Sequence, residues 1–245
     1  MRLRNTGIAA SLSCSRALWR WGTAPPPPPL PPPAGLAQYE ELLHDRSDSS
    51  PSAAQLPGFL RGRRYESLAA GPRYLALYEA QNAGVLQSGA YLQLKRNRDA
   101  RSLQFIPAFM NTLKATCDIL VQAGKGEGGY LVLLAVSVAG ERLESFRNWI
   151  GTGLFADLLH ETGIVAASFA VSNRTARASL AAYDVRSADR YLDGLIIVEA
   201  ASEQGARIAA SRLDRQALQS RGASFQLMEE PAMFRVLYAL HALHA

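Results

Sequence analysis

The chain has 245 residues, 48% of them hydrophobic, and a net charge of +5. That apolar share excludes wholesale disorder, and no apolar run reaches the roughly 18 residues that cross a bilayer as a helix. Residues 1–38 hold Arg2, Arg4, Arg16 and Arg20 and no acid, so the remaining chain is nearly neutral and lacks the basic face that nucleic-acid binding needs.

Residues 1–24 are rich in Arg and Ser and free of acids, a loose likeness to a transit peptide. Gly7–Cys14 is too thin an apolar core for a secretory signal, and an extended start is the plainer reading. Eight prolines fill nine positions from Pro25 to Pro33. Each ring fixes φ and removes a donor, so the run is polyproline II, read as a stiff spacer ahead of a ligand for proline-reading domains. Residues 1–35 are therefore set apart as a disordered or extended Pro-rich segment.

Leu36–Leu43 is expected to be helical, and Ala17–Gly22 is the weakly marked choice for an opening strand. Gly58–Glu66 and Tyr74–Glu79 read as paired strands around a Gly71-Pro72 turn. Ala83–Leu94 reads as a short helix with Val85, Leu86, Tyr91, Leu92 and Leu94 on its apolar side, and Phe109–Leu120 as a closing strand. Gly124-Lys125-Gly126-Glu127-Gly128-Gly129 is a linker by composition. Beyond it, Leu131–Val138 is a buried strand and Arg142–Glu161 a helix with Leu143, Phe146, Trp149 and Ile150 on one face. Strands follow at Ile164–Val171 and Leu195–Glu199, then a helix over Ser202–Leu213 with Ser202 as N-cap, then a strand over Met233–Leu240.

The order βαββαβ occurs twice, in residues 36–123 and 130–245. The expected class is α+β: tandem ferredoxin-like modules packed sheet to sheet as an intramolecular α/β barrel. One such sheet carries its helices on one face and leaves the other apolar, and two sheets can cover each other.

The strands Pro57-Gly58-Phe59-Leu60-Arg61-Gly62-Arg63-Arg64-Tyr65 and Pro72-Arg73-Tyr74-Leu75-Ala76-Leu77-Tyr78-Glu79, with Ser88-Gly89-Ala90-Tyr91 after them, resemble the dimeric α/β barrel superfamily. The likeness is to its EthD-like and antibiotic-biosynthesis-monooxygenase-like branches. It covers residues 36–120 well and 130–240 in outline. The resemblance implies binding, and cofactor-free monooxygenation, cyclisation or isomerisation, of a small hydrophobic or aromatic metabolite. It also implies a homodimer. Relatives carry Phe-x-x-Trp-x-x-x-x-His on the first helix, nine residues ahead of a glycine. With Gly163 as that glycine, Phe146 and Trp149 match and Leu154 stands at the histidine position. With Gly58, His44 stands at the tryptophan position and Ser49 at the histidine position, followed by the matching Pro51. Neither Leu154 nor Ser49 supplies the acid–base group that such chemistry uses, so a non-catalytic scaffold or partner-binding protein is the alternative.

The candidate ligand-binding residues are Tyr65, Tyr74, Tyr78, His44, Trp149 and His160. Tyrosines on an inner barrel face can stack on a planar ligand and bond it by the hydroxyl; sheet packing is the competing role. Tyr74 and Tyr78 share one strand face, being four residues apart. His44 could equally be a solvated or capping histidine, and His160 one placed by the helix dipole. Arg63, Arg64 and Arg73 could steer an anion or line a solvated face. His241 and His244 make no metal site alone, and Cys14 and Cys117 have no ligand spacing, so no metal is expected. The sequence has no phosphate loop, dinucleotide fingerprint or nucleophile elbow, and no cofactor is expected. Two cysteines without a framework suit reduced thiols in the cytoplasm.

Overall fold

A computed structural model describes residues 56–69, 73–98, 112–183, 189–225 and 227–241, and the backbone of 7–14 and 110–111. His44, Ser49, the Leu36–Leu43 helix, the Ala17–Gly22 run and the proline segment lie outside the described residues.

The described strands are β1 (Gly7–Cys14), β2 (Phe59–Ser67), β3 (Tyr74–Ala80), β4 (Met110–Gly124), β5 (Tyr130–Ala135), β6 (Ser137–Val138), β7 (Ile164–Ser172), β8 (Arg190–Tyr191), β9 (Gly194–Ala200), β10 (Ala223–Ser224) and β11 (Ala232–His241). The helices are α1 (Gly89–Arg96), α2 (Gly140–Trp149), α3 (Phe155–His160), α4 (Arg174–Ala181), α5 (Glu203–Arg212) and α6 (Arg215–Ser220). None of them is long and apolar enough to cross a membrane.

The fold is α+β, with one large curled mixed sheet in the order β1-β3-β2-β11-β5-β9-β7-β4-β8. β1 also pairs with β4, so the pairings return to their start through this strand. The short parallel pairing of β8 with β4 makes the sheet mixed. Within residues 130–241 the order is β11-β5-β9-β7; within the preceding strands it is β4-β1-β3-β2.

Alternation along the strands separates two apolar layers. On one face, Tyr65, Leu75, Leu77, Leu113, Cys117, Leu131, Leu133, Leu195, Ile197 and Phe234 form a single cluster drawn from strands on both sides of the glycine linker. None of its members lies on a helix, so this is the concave interior of the curl. Each fully buried leucine there contributes roughly 2 kcal/mol. On the opposite face, Val132, Leu134, Ile196 and Val198 meet Phe146, Ile150, Phe155, Leu158, Ala206 and Ala209 of the helices.

Two expected helices differ in detail. Residues 83–94 are divided: Ala83–Gln87 is a 3-10 turn, and Ser88 then caps α1 by accepting from the Tyr91 N–H. The second-half helix is interrupted by a π-helical turn at Ile150–Leu154, where Gly151 and Gly153 weaken the α-helical ladder. Ser202 caps α5 as expected, accepting from the Gly205 N–H at 3.1 Å.

Candidate functional site

The interior of the curl carries a charged layer beside its apolar one. β3 sends Leu75 and Leu77 inward and then Glu79; β9 sends Leu195 and Ile197 inward and then Glu199. β2 sends Tyr65 inward, preceded at two-residue steps by Arg63 and Arg61. A register shift between Phe59 and Arg61 sets this phase. Without it Phe59 would share the face of the arginines. With it, Phe59 turns to the outer side and packs on Tyr78, Leu86 and Tyr91.

The charged side chains are paired with one another. Arg63 Nη1 donates to Glu199 Oε2 at 2.7 Å, and its Nη2 donates to Glu79 Oε1 at 2.8 Å and to Glu199 Oε1 at 2.9 Å. Arg61 Nε donates to Glu79 Oε1 at 2.7 Å, and its Nη1 reaches Glu127 of the linker at 2.6 Å. The Gly128 N–H donates to Glu199 Oε2 at 3.1 Å. Arg63 is 4% exposed, Glu199 7% and Glu79 9%, so the group is taken out of water and its bonds are correspondingly strong. Burial opposes ionisation of Glu199, but the bond and charge of Arg63, the Gly128 N–H and Arg61 hold its carboxyl below the usual range. Burial likewise opposes the charge on Arg63, while the bond to Glu199 and the two carboxylates raise its pKa above the ordinary value.

Two polar atoms in this interior have no hydrogen-bond partner: the Tyr65 hydroxyl and Arg63 Nε. Tyr65 is wholly buried. Burial pushes its hydroxyl pKa well up, so it is a neutral donor. The Arg63 guanidinium carbon lies 5.6 Å from the Tyr65 ring centroid. Cys117, also in this cluster, has its thiol pushed up to about 12 by burial, and by Asp118 and Asp193, so it is protonated at neutral pH.

Among the described residues, those named from the sequence are not brought together. Tyr65 faces the interior. Tyr74 and Tyr78 share a strand face, as their spacing requires, and that face is the outer one, opposite Leu75 and Leu77. The Tyr78 hydroxyl accepts from Arg64 Nη2 at 2.9 Å, and Arg73 lies over the Tyr74 ring. Trp149 is half-buried against Phe146, with Arg221 over its ring. His160 is exposed in the last turn of α3. Sequence reasoning missed Glu79, Glu199 and the buried part of Arg63. The signal was an apolar two-residue period running on into a charge, in Leu75-x-Leu77-x-Glu79 and Leu195-x-Ile197-x-Glu199.

No protein-family model matches the sequence, and no curated protein matches it. Solved structures do match in shape along the whole chain. An anthrone oxidase-like protein superposes with a TM-score of 0.62 at 12% identity, over 98% of this chain and 94% of that one. A candidate chlorite dismutase gives 0.56 at 10% identity, over 96% of each. A candidate monooxygenase from Fusobacterium nucleatum subsp. nucleatum gives 0.55 at 10% identity, over 98% and 96%. These neighbours are dimeric α/β barrel (ferredoxin-like) proteins, and at such identities the likeness is one of fold. Among the described residues, the histidines His160 and His241 are exposed. Among the described residues no three metal-ligating side chains cluster.

Proposed function

We propose that this chain is a tandem ferredoxin-like α/β barrel that binds a small hydrophobic or aromatic metabolite in its interior, with Tyr65 as the polar contact. The observation that carries the reading is the Tyr65 hydroxyl, wholly buried between the apolar cluster and the Arg63–glutamate layer, with no hydrogen-bond partner. A buried donor left alone costs about 1–3 kcal/mol, and a ligand that accepts its bond removes that cost.

The tandem reading has three supports. Both halves place their strands in the order fourth, first, third, second. Leu75-Ala76-Leu77-Tyr78-Glu79-Ala80 and Leu195-Ile196-Ile197-Val198-Glu199-Ala200 occupy the same position in each half. Gly58 and Gly163 precede equivalent strands with φ near +87 and +86, and each is followed by a register shift at the next two residues. The EthD-like and antibiotic-biosynthesis-monooxygenase-like branch rests on the hairpin motifs of β2 and β3. The enzymatic form of the reading is cofactor-free monooxygenation, cyclisation or isomerisation. A cytoplasmic protein and a homodimer belong to the same proposal, the second readable by light scattering.

Native mass spectrometry of the protein purified from its own host tests the reading. A co-purifying apolar small molecule, displaced on denaturation, is the expected result. Ligand-free protein that also takes up no aromatic compound in titration overturns it. The second reading, a non-catalytic scaffold, is favoured by Leu154. That leucine lies in the π-helical turn, at the position where the resembled pattern carries its histidine. A ligand recovered unchanged after incubation with oxygen would favour this scaffold form.

A further inference from the structure

We infer that the outer face built by α1, α4 and β8 is a docking surface for an acidic polypeptide segment of a partner protein. The inference is independent of the interior reading. It rests on where the arginines lie and on what they lack.

The chain beyond residue 38 is nearly neutral, but its cations are unevenly placed. Residues 81–98 and 173–183 hold Lys95, Arg96, Arg98, Arg174 and Arg177 and no acid. These stretches lie on opposite sides of the glycine-rich linker, and the fold sets them side by side. α4 packs on the 3-10 turn that precedes α1. Leu180 of α4 joins Tyr91 and Leu94 of α1 in one apolar cluster. Past the end of α4, the Tyr183 hydroxyl accepts from Arg96 Nη2 at 2.7 Å, and the Tyr183 carbonyl accepts from Arg98 Nη2 at 3.0 Å. Arg177 lies 4.2 Å from the ring centroid of Tyr191 on β8, beside the exposed Arg190.

The other helices treat their arginines differently. Arg147 holds Glu144, Arg207 holds Glu203, Arg212 holds Glu161 and Arg215 holds Glu229. Among the described residues, Arg96, Arg98, Arg174, Arg177 and Arg190 have no carboxylate partner. The acids nearest in the fold are engaged elsewhere: Asp189 takes Lys114 at 2.5 Å, and Asp118 takes the Asn173 amide at 2.9 Å. Residues 99–109 and 184–188, outside the described residues, each add one acid and one base and leave the excess standing. Tyr183 and Tyr191 hold three of the guanidinium groups in place, which lowers the ordering cost of binding. Each planar fork matches a carboxylate bidentately.

The rest of the surface selects among anionic partners. A lipid surface requires apolar side chains beside the cations. The exposed large hydrophobics among the described residues, Leu60 and Leu240, lie instead on β2 and β11. Single-stranded nucleic acid requires open aromatic platforms, and here Tyr183 and Tyr191 each carry an arginine over the ring. A run of carboxylates requires only the spaced guanidinium forks.

Fluorescence anisotropy of the full chain with labelled decaglutamate tests this. Binding is expected, and it should weaken about tenfold between about 0.05 and about 0.3 M NaCl as the charges are screened. Arg174→Glu/Arg190→Glu should weaken it about tenfold or more, because both side chains are exposed on this face. Arg147→Glu/Arg207→Glu makes the same charge change on other helices and should leave binding near wild type. Thermal melting of both variants checks that each is folded. Absence of binding to decaglutamate overturns the inference. So does equal weakening in the two variants, which would reduce the effect to net charge. Tighter binding of a thymidine decanucleotide than of decaglutamate gives the face to nucleic acid and overturns it as well. Binding that appears only after Glu40, Glu41, Asp45 and Asp48 are neutralised makes this chain's own acidic stretch the occupant. A dimer that Arg174→Glu/Arg190→Glu dissolves in light scattering makes a second copy the occupant. Either result removes the partner protein from the face.

Discussion

Glu199 shows how one side chain ties two halves of a chain together. It comes from β9 and closes on Arg63 of β2, with β5 and β11 between those strands in the sheet. Its folded carboxyl is held below its ordinary range. The sign follows directly: its stabilisation is complete above the unfolded pKa of about 4.3 and is lost as pH falls through the folded value. Wild-type stability should therefore drop steeply on acidification below about pH 4. Glu199→Gln should show a shallower acid limb and lose roughly 3 kcal/mol at pH 7, the low end for a broken buried pair because Glu79 still holds Arg63. Urea unfolding at pH 7 and pH 3.5 reads both effects. An acid limb as steep in the variant as in the wild type would detach Glu199 from the pH dependence. This layer was hard to see in the sequence because a charged residue at a strand's end reads as solvent-facing. Only pairing across the five strands from β3 to β9 shows that Glu79, Glu199 and Arg63 point at one another.

Elements with strong local signals were legible, and those depending on partners were not. β5, β7 and β9 were marked by apolar runs, and α5 by its Ser202 cap. Replacing that cap by alanine should cost about 1 kcal/mol, a fall of about 2–4 °C in melting temperature for a chain of this size. A loss well beyond that would mean that Ser202 does more than cap. The glycines of 124–129 were read from composition as a linker, and in the structure Gly124 and Gly128 also permit close approach. Gly124 has φ +76, and an added Cβ would stand 2.3 Å from the Val165 carbonyl oxygen. Gly128 follows the same logic, its Cβ falling 2.4 Å from the Ala200 carbonyl oxygen. Gly124→Ala should thus destabilise by roughly 1–3 kcal/mol, through the left-handed backbone and the clash together. A Gly124→Ala protein as stable as wild type in urea would show that the close approach at Gly124 carries no cost. The π-helical turn and the register shift before Arg61 escaped the sequence reading. Both are one-residue irregularities, set by packing rather than by a composition that a window can register. The shift matters most, since it turns Tyr65 inward and Phe59 outward.

At the scale of the molecule, the strand pairings close on themselves through β1. Its residues 7–13 pair with β3 and its other edge pairs with β4 along 110–118, so it joins the two ends of the curled sheet. Composition set residues 1–35 apart from the modules, because acid-free, Arg-rich and Pro-rich sequence resembles a tail. Gly7-Ile8-Ala9-Ala10-Ser11-Leu12-Ser13-Cys14 has no bulky alternating pattern to announce a strand. Small residues suffice for it because a strand flanked on both sides needs backbone bonds more than side-chain mass. Removing residues 1–14 would expose the paired edge of β3 and the first part of β4. Two unpaired edges in one molecule invite edge-to-edge association. The truncated chain should then lose its cooperative unfolding transition or run as oligomers, whereas removal of residues 1–6 alone should change neither. Size-exclusion chromatography with light scattering, paired with thermal denaturation, separates these outcomes. A monomeric chain lacking residues 1–14 that melts at the wild-type temperature would show that β1 forms no part of the wall. The interior at Tyr65 would then be open along one side, and a ligand there would have to be held by half a barrel.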